Sequence, residues 1–167
     1  MKPIVLDDDT SLEVRPIEPS DGEALVAFHD GLSLESTRLR YFSPHPLLSR
    51  REVVRLTTVD HQLREALVVL HGDVIVAVAR YEGLPDGVTA EVAFVVAEAW
   101  RRRGIATELL QRLAGLARER GMHHLVAETL SENRPMSKVF VDSGIREHHT
   151  IETGVLHFDL DLDAPQA

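Results

Sequence analysis

The stretch from Glu91 to Thr107, EVAFVVAEAWRRRGIAT, most constrains what this chain can fold into. An apolar, β-rich run gives way to a short arginine-rich turn and then directly to a helix. Ile105, Leu109, Leu110, Leu113, Leu116 and Ala117 recur at helical spacing in that helix, and Gly121 stands where a C-terminal glycine cap belongs. Gly104 removes the side chain that would hold an anion away from the backbone. The first-turn amides of a helix have no internal partners and lie at the positive end of its dipole, so Ile105, Ala106 and Thr107 offer main-chain donors to an anion. Arg101, Arg102 and Arg103 add charge. The loop is not a Walker loop, because no Gly-Lys-Ser/Thr follows, and it lacks the G-x-G-x-x-G spacing of a dinucleotide site.

The rest of the chain reads as one domain around this stretch. Its 167 residues, 44% hydrophobic and 27% charged, suffice for a single core. Residues 1–10 are acidic and read as a flexible end, 11–163 as the domain and 164–167 as a tail. Leu12 to Ile17 alternates as a strand. Ser20-x-x-Glu23 reads as a capping box for a helix over Ala24 to His29. Ser33 to Ser36 opens a second short helix that ends before Pro44 and Pro46, and Ser49-x-x-Glu52 is another capping box. Strands follow at Ala66 to Leu70, Val74 to Tyr81 and Thr89 to Ala97. After the long helix come a strand at Met122 to Thr129, a helix at Arg134 to Ser143, and a hairpin of Ile145 to Ile151 with Val155 to Leu162. The order β-α-α-β-β-β-α-β-α-β-β gives an α/β (α+β) class, a mixed central sheet of about six to seven strands with helices on both faces.

Charge and composition exclude several functions. The net charge of −9 argues against a general nucleic-acid binder, which needs a basic face. Residues 101 to 120 nevertheless carry six arginines against Glu108 and Glu119, a local +4 that leaves −13 for the remainder. No cysteine is present, so thiolate zinc sites and a cysteine nucleophile are excluded. His123-His124 and His148-His149 fall in strands, where adjacent side chains point to opposite faces, so neither pair chelates and no metal is expected. No apolar run reaches membrane-spanning length and the start lacks a signal peptide's pattern, so the expectation is a cytoplasmic protein with no membrane partner.

Arg101-x-x-Gly104-x-Ala106, preceded by Trp100, resembles the acetyl-CoA signature of the GNAT-type N-acetyltransferases, and the element order resembles that fold from about Leu12 to Leu162. Upstream, Leu32 to Ser43 (LSLESTRLRYFS), then Val59-Asp60-His61 and Arg64-x-Ala66-Leu67-Val68, resembles the bacterial protein lysine acetyltransferases. The resemblance implies a GNAT fold with acetyl-CoA in a cleft where two strands splay apart, here those of Phe94 to Val96 and Leu125 to Glu128. It implies that main-chain groups of Phe94, Val95 and Val96 pair with the pantetheine amides and that the CoA pyrophosphate lies on the Arg101 to Thr107 loop.

Ala90-Glu91-Val92-Ala93-Phe94 matches the run in which the lysine acetyltransferases carry their general base, which implies that role for Glu91. A solvated strand-end carboxylate remains the other reading. Asn133 stands where many superfamily members place an Asn near the cofactor, and it is equally a helix N-cap. Many relatives have a tyrosine four residues before the glycine that ends the last helix, able to protonate the departing thiolate; here Phe140 precedes Gly144 and has no hydroxyl. The implied acceptor is an exposed lysine of a protein such as an acyl-CoA synthetase. The alternatives are a small-molecule amine and an acyl-CoA-binding regulator with weak turnover. The family also fuses this domain to regulatory modules, so a longer parent chain is possible.

Overall fold

A computed structural model describes residues 1–41 and 47–165. Phe42 and Ser43 of the upstream match, Pro44 and Pro46, and Gln166 and Ala167 of the expected tail lie outside the described residues.

The chain runs β1 (Ile4–Val5), β2 (Ser11–Pro16), α1 (Gly22–Asp30), α2 (Leu34–Tyr41), α3 (Arg50–Thr57), β3 (Arg64–His71), β4 (Val74–Gly83), β5 (Thr89–Val96), α4 (Ile105–Glu119), β6 (His124–Leu130), α5 (Arg134–Val141), β7 (Arg146–Glu152) and β8 (Val155–Asp161). Eight strands form one sheet in the order β1-β2-β3-β4-β5-β6-β8-β7. The added strand comes from the N-terminal segment expected to be a loose end. Ile4 and Val5 pair antiparallel with Leu12 and Ser11, and Ile4 and Leu6 are buried.

Two capping expectations part ways. Ser49 accepts from the Glu52 amide at 3.1 Å while Glu52 accepts from the Ser49 amide at 2.7 Å, and this box starts α3. Ser20 and Glu23 form no such box. Asp21 is the N-cap of α1, and its carboxylate takes two hydrogen bonds from Arg15, at 2.7 and 2.8 Å, and one from the Glu18 amide. That carboxylate makes no bond to the α1 amides, and Ser20 lies inside the 3-10 turn Pro19–Asp21 that leads into the helix, one residue too early to cap it.

All strand pairs are antiparallel except β5 with β6, whose connection is α4. The helices cover both faces and create two cores. On one face Ile105, Leu109, Leu110, Leu113 and Ala117 of α4 and Phe140 of α5 pack with Val92, Phe94, Phe158 and Leu160. On the other, Leu25 and Phe28 of α1 pack with Ala66, Val68 and Val78, joined by the half-buried Leu56 and Val95. β3 and β4 are buried on both faces, so they read as continuous apolar runs instead of alternating ones.

Candidate functional site

The parallel pair β5–β6 is the only place where the sheet opens among the described residues. Thr89, Ala90 and Glu91 pair with His124, Leu125 and Val126, and pairing stops there. Yet β5 runs on to Val96 and β6 to Leu130. Beyond Glu91 the two strands therefore part, and their facing peptide groups have no strand partner. The Leu125 end of the expected cleft is still paired; the gap begins after Val126.

The β4–β5 register decides which peptide groups face this gap. The Ala97 amide donates to Val76 O at 2.9 Å and the Leu84 amide to Thr89 O at 2.7 Å. In an antiparallel ladder hydrogen-bonded pairs alternate with unbonded ones, so Ala93 and Val95 bond β4 while Val92, Phe94 and Val96 turn theirs to the gap. Of the three residues expected to offer main-chain groups, Phe94 and Val96 face the opening and Val95 does not. The side chains alternate as well: Val92, Phe94 and Val96 enter the α4–α5 core, and Glu91, Ala93 and Val95 face the α1–α3 side.

At the far end of the gap the chain turns through Arg101–Gly104 into α4. Arg102 has φ +61° and Gly104 φ +82°, and Gly104 is the helix N-cap. A Cβ built on Gly104 meets nothing within 4 Å, so the concavity above it is open. Among the described residues, the amides of 102–104 donate no backbone hydrogen bond, and Ile105, Ala106 and Thr107 occupy the first helical turn, whose amides have no intrahelical acceptor. Consecutive main-chain donors around a left-handed turn make an anion-binding concavity.

The three arginines do not act alike. Arg101 donates to Val96 O at 3.1 Å and to Ser36 Oγ at 2.7 Å, which makes it a tie at the edge of the gap. Arg103 pairs with Asp8 at 2.7 Å and lies over the Trp100 ring, 5.1 Å from its centroid. Arg102 is exposed and has no polar side-chain partner among the described residues. The local +4 is also less concentrated than the count implies. Arg112 binds Glu108 and the carbonyl of Lys2, Arg118 binds Leu162 O, and Arg120 binds Glu65 and Tyr81. Arg120 follows the fifteen residues of α4, roughly 22 Å along the helix axis from Gly104.

Glu91 stands where β5 and β6 part. Its side chain is exposed, and among the described residues its carboxylate has no hydrogen-bond or ion-pair partner. Its cross-strand neighbour Glu82 differs: Arg55 holds it through bonds of 2.9 and 3.2 Å, with Arg64 at 3.6 Å. Those guanidiniums keep the Glu82 carboxyl below the usual carboxylate range. Glu91 also lines a cavity of ≈300 Å³ on the uncovered face of β6, β8 and β7, together with Glu128, His148, His157 and Asp159. His157 pairs with Glu128 at 3.2 Å and His124 with Asp159 at 2.8 Å. The Asp159 hydrogen bond pushes the His124 imidazole above its ordinary value.

Helix α2, part of the upstream match, joins both edges of the gap. Ser33 N and Ser36 Oγ donate to Glu98 at 3.3 and 3.0 Å, on the β5 side. Arg38 reaches Glu132, in the turn after β6, at 2.9 Å. These residues escaped the sequence reading of the site; the resemblance of Leu32 to Ser43 was the only signal for them.

Asn133 is the N-cap of α5, its Oδ1 accepting from the Met136 amide at 3.4 Å, and its side chain is half-buried beside the end of β6. Phe140 is 1% exposed, stacked on Phe158 at 4.9 Å between centroids and edge-on to Phe94 at 5.8 Å. His123 and His149 bind Asp163 and Glu147 at 2.8 Å, and among the described residues no group of three or more ligating side chains is placed to hold a metal ion.

The Acetyltransferase (GNAT) family model matches residues 32–144. Among solved structures, the GNAT domain of PAT from Streptomyces lividans superposes with a TM-score of 0.88 at 38% identity, over 95% of each chain. The yncA protein of Salmonella typhimurium, solved with its cofactor acetyl-CoA, has a TM-score of 0.74 at 18% identity, over 93% of this chain and 96% of its own. A cAMP-binding acyltransferase from Mycobacterium smegmatis has a TM-score of 0.67 at 23% identity; the match takes in 97% of this chain but 47% of that one. The latter two show a shared fold.

Proposed function

The chain belongs to the acetyltransferase (GNAT) family, and from that premise we propose that it transfers the acetyl group of acetyl-CoA directly to the side-chain amine of a protein lysine, with Glu91 as general base. The observation that carries the proposal is the state of Glu91: a carboxylate without a partner among the described residues, exposed, at the point where β5 and β6 separate. The protein acceptor is supported by the 38% identity to the GNAT domain of Streptomyces lividans PAT across nearly the whole chain.

The thioester donor would lie in the gap. Its pyrophosphate would take the amides of Gly104 to Thr107, with Arg102 as the uncommitted charge and Arg101 and Arg103 shaping the loop. The pantetheine arm would run back along Phe94 and Val96, whose peptide groups extend the sheet to it as to an added strand. Asn133 caps α5 at the opposite edge. From Val95 to Glu91 is roughly 13 Å along a strand, which brings the thioester toward the carboxylate.

A lysine ammonium has an ordinary pKa near 10.4, so at pH 7 only about one in two thousand carries the lone pair needed for attack. Glu91, directly or through a water, takes the proton. The nitrogen then attacks the thioester carbonyl carbon, the new C–N bond forms, and the C–S bond breaks. The CoA thiolate leaves and takes its proton from solvent, because Phe140 is buried and has no hydroxyl. An ordinary thiol pKa near 8.5 makes this leaving group serviceable without an acid. The cavity there is lined by Glu91, Glu128 and Asp159, of which Glu91 alone has no partner among the described residues, and its charge favours a cationic acceptor on that side.

Residues 11–163 carry the site, with β1 extending the sheet, acyl-CoA synthetases are the acceptors, and the reaction takes place in the cytoplasm. Transfer is tested by incubating the protein with labelled acetyl-CoA and a purified acyl-CoA synthetase or a cell lysate, then separating products by mass. Label on protein lysines is the expected result. Label confined to low-mass amines would replace the acceptor by a small molecule, and acetyl-CoA binding with no transfer would leave an acyl-CoA-binding regulator.

A further inference from the structure

The N-terminal hairpin, which precedes the matched residues 32–144, reaches the loop that opens α4. The turn between β1 and β2 is closed by two hydrogen bonds of 2.9 Å, Leu6 N to Thr10 O and Asp9 N to Leu6 O. Within it, Asp8 accepts from the Thr10 amide on Oδ1 at 3.0 Å and from the Arg103 guanidinium on Oδ2 at 2.7 Å. We propose that Asp8 sets the affinity for the acyl donor: it competes with a donor phosphate for Arg103, which changes partner when the donor binds. The inference rests on the Arg101–Thr107 loop as the place of the donor pyrophosphate.

Three observations carry it. The first is position. Arg103 directly precedes Gly104, the N-cap of α4, and consecutive α-carbons lie about 3.8 Å apart. A phosphate on the amides of Gly104 to Thr107 is therefore within the swing of the Arg103 side chain. In the structure that side chain is turned to Asp8, its guanidinium 5.1 Å from the centroid of the Trp100 ring. Among the described residues, Arg103 is the loop arginine that a carboxylate pairs; Arg101 is tied to Val96 O and Ser36.

The second is anchorage. Arg112 of α4 donates to the carbonyls of Lys2 and Pro3, and Ile4 and Leu6 are buried, so the hairpin is fastened along the same helix. The Thr10 contacts hold the Asp8 carboxyl below the usual carboxylate range, and Arg103 adds to that, so Asp8 is an anion throughout the neutral range. A fixed anion beside an anion-binding loop opposes the ligand that the loop attracts.

The third is the balance of the two contacts. The Arg103–Asp8 pair is screened by solvent, its side chains 31% and 59% exposed, so opening it costs little. A phosphate offers the guanidinium a bidentate partner of higher charge. The exchange is favourable, but by less than it would be without Asp8. No covalent bond changes. The product CoA carries the same nucleotide end as acetyl-CoA, so Asp8 loosens the grip on product as well as on donor, which favours release.

The test measures acetyl-CoA and CoA affinities by calorimetry, beside thermal melts, on the wild type, Asp8→Asn, Asp9→Asn, Arg103→Ala and the variant carrying both Asp8→Asn and Arg103→Ala. Asparagine keeps the Oδ1 that accepts from Thr10 and removes the charge. Asp8→Asn is expected to tighten both ligands about three- to tenfold. Asp9→Asn removes the same charge from the same turn and leaves the Arg103 contact in place, so it should change affinity less than about twofold. With Arg103→Ala already present, Asp8→Asn should also change affinity less than about twofold. Dephospho-CoA, which keeps the pyrophosphate and lacks the ribose phosphate, identifies the group exchanged: the gain persists with it for the pyrophosphate and disappears for the ribose phosphate. Unchanged or weaker binding by Asp8→Asn would overturn the inference. So would an equal gain in Asp9→Asn or without Arg103, either of which would reduce Asp8 to a distant charge. Gly104→Glu keeps the two readings apart. Intact acetyl-CoA affinity in that variant counts against the loop as the donor site, whereas lost affinity there with no effect of Asp8→Asn counts against the exchange alone.

Discussion

Gly104 sits at φ +82°, a region that costs an L-residue about 1–2 kcal/mol, and it has open space above its α-carbon. A Cβ there meets no part of the protein within 4 Å and points into the space over the amides of the α4 turn. Gly104→Glu is therefore expected to lower stability by no more than the conformational cost while weakening acetyl-CoA at least a hundredfold, read by calorimetry beside a thermal melt. Undiminished affinity would place the pyrophosphate elsewhere. The contrast between Glu82 and Glu91 belongs to the same scale. Two carboxylates face each other across β4 and β5, and the one at the opening has no arginine partner among the described residues.

At the scale of elements, α2 holds the two edges of the gap in register. Ser33 and Ser36 fix it to Glu98 and Arg101 on one side, and Arg38 fixes it to Glu132 on the other. The Arg38–Glu132 pair is solvent-screened, so Arg38→Ala is expected to leave stability nearly unchanged. It should raise the KM for acetyl-CoA about two- to fivefold with kcat little changed; an unchanged KM in steady-state kinetics would mean that α2 only covers the sheet. These links join residues 62, 65 and 94 positions apart, which is why no local pattern reveals them. Local pattern does reveal β3 to β5 and α4, because apolar runs and helical spacing persist there over eight to fifteen residues. It misses β1, whose two residues carry no period. It misplaces the start of α1, because a 3-10 turn at Pro19–Asp21 precedes the helix and takes Ser20 into it. It also lets Val95 stand with Phe94 and Val96, since which peptide groups face the gap depends on the register with β4.

Across the whole molecule, the net charge of −9 is arranged in two ways. The basic residues along and after α4 are tied to acids or carbonyls, which under the proposal leaves the main chain at its N-terminal end, with Arg102 beside it, to take the pyrophosphate. Glu91, Glu128 and Asp159 line the face of β6, β8 and β7 beside His148 and His157. Glu91 stands at the edge of that face where β5 and β6 part, and the proposed proton transfer rests on this one residue. The direct measurement is transfer from acetyl-CoA to a lysine-bearing protein at pH 7 by the wild type and by Glu91→Gln, with acetyl-CoA affinity measured on both. Loss of a general base predicts a kcat lower by about 10²–10⁴-fold with the affinity for acetyl-CoA unchanged. Equal kcat values in the two proteins would contradict the account.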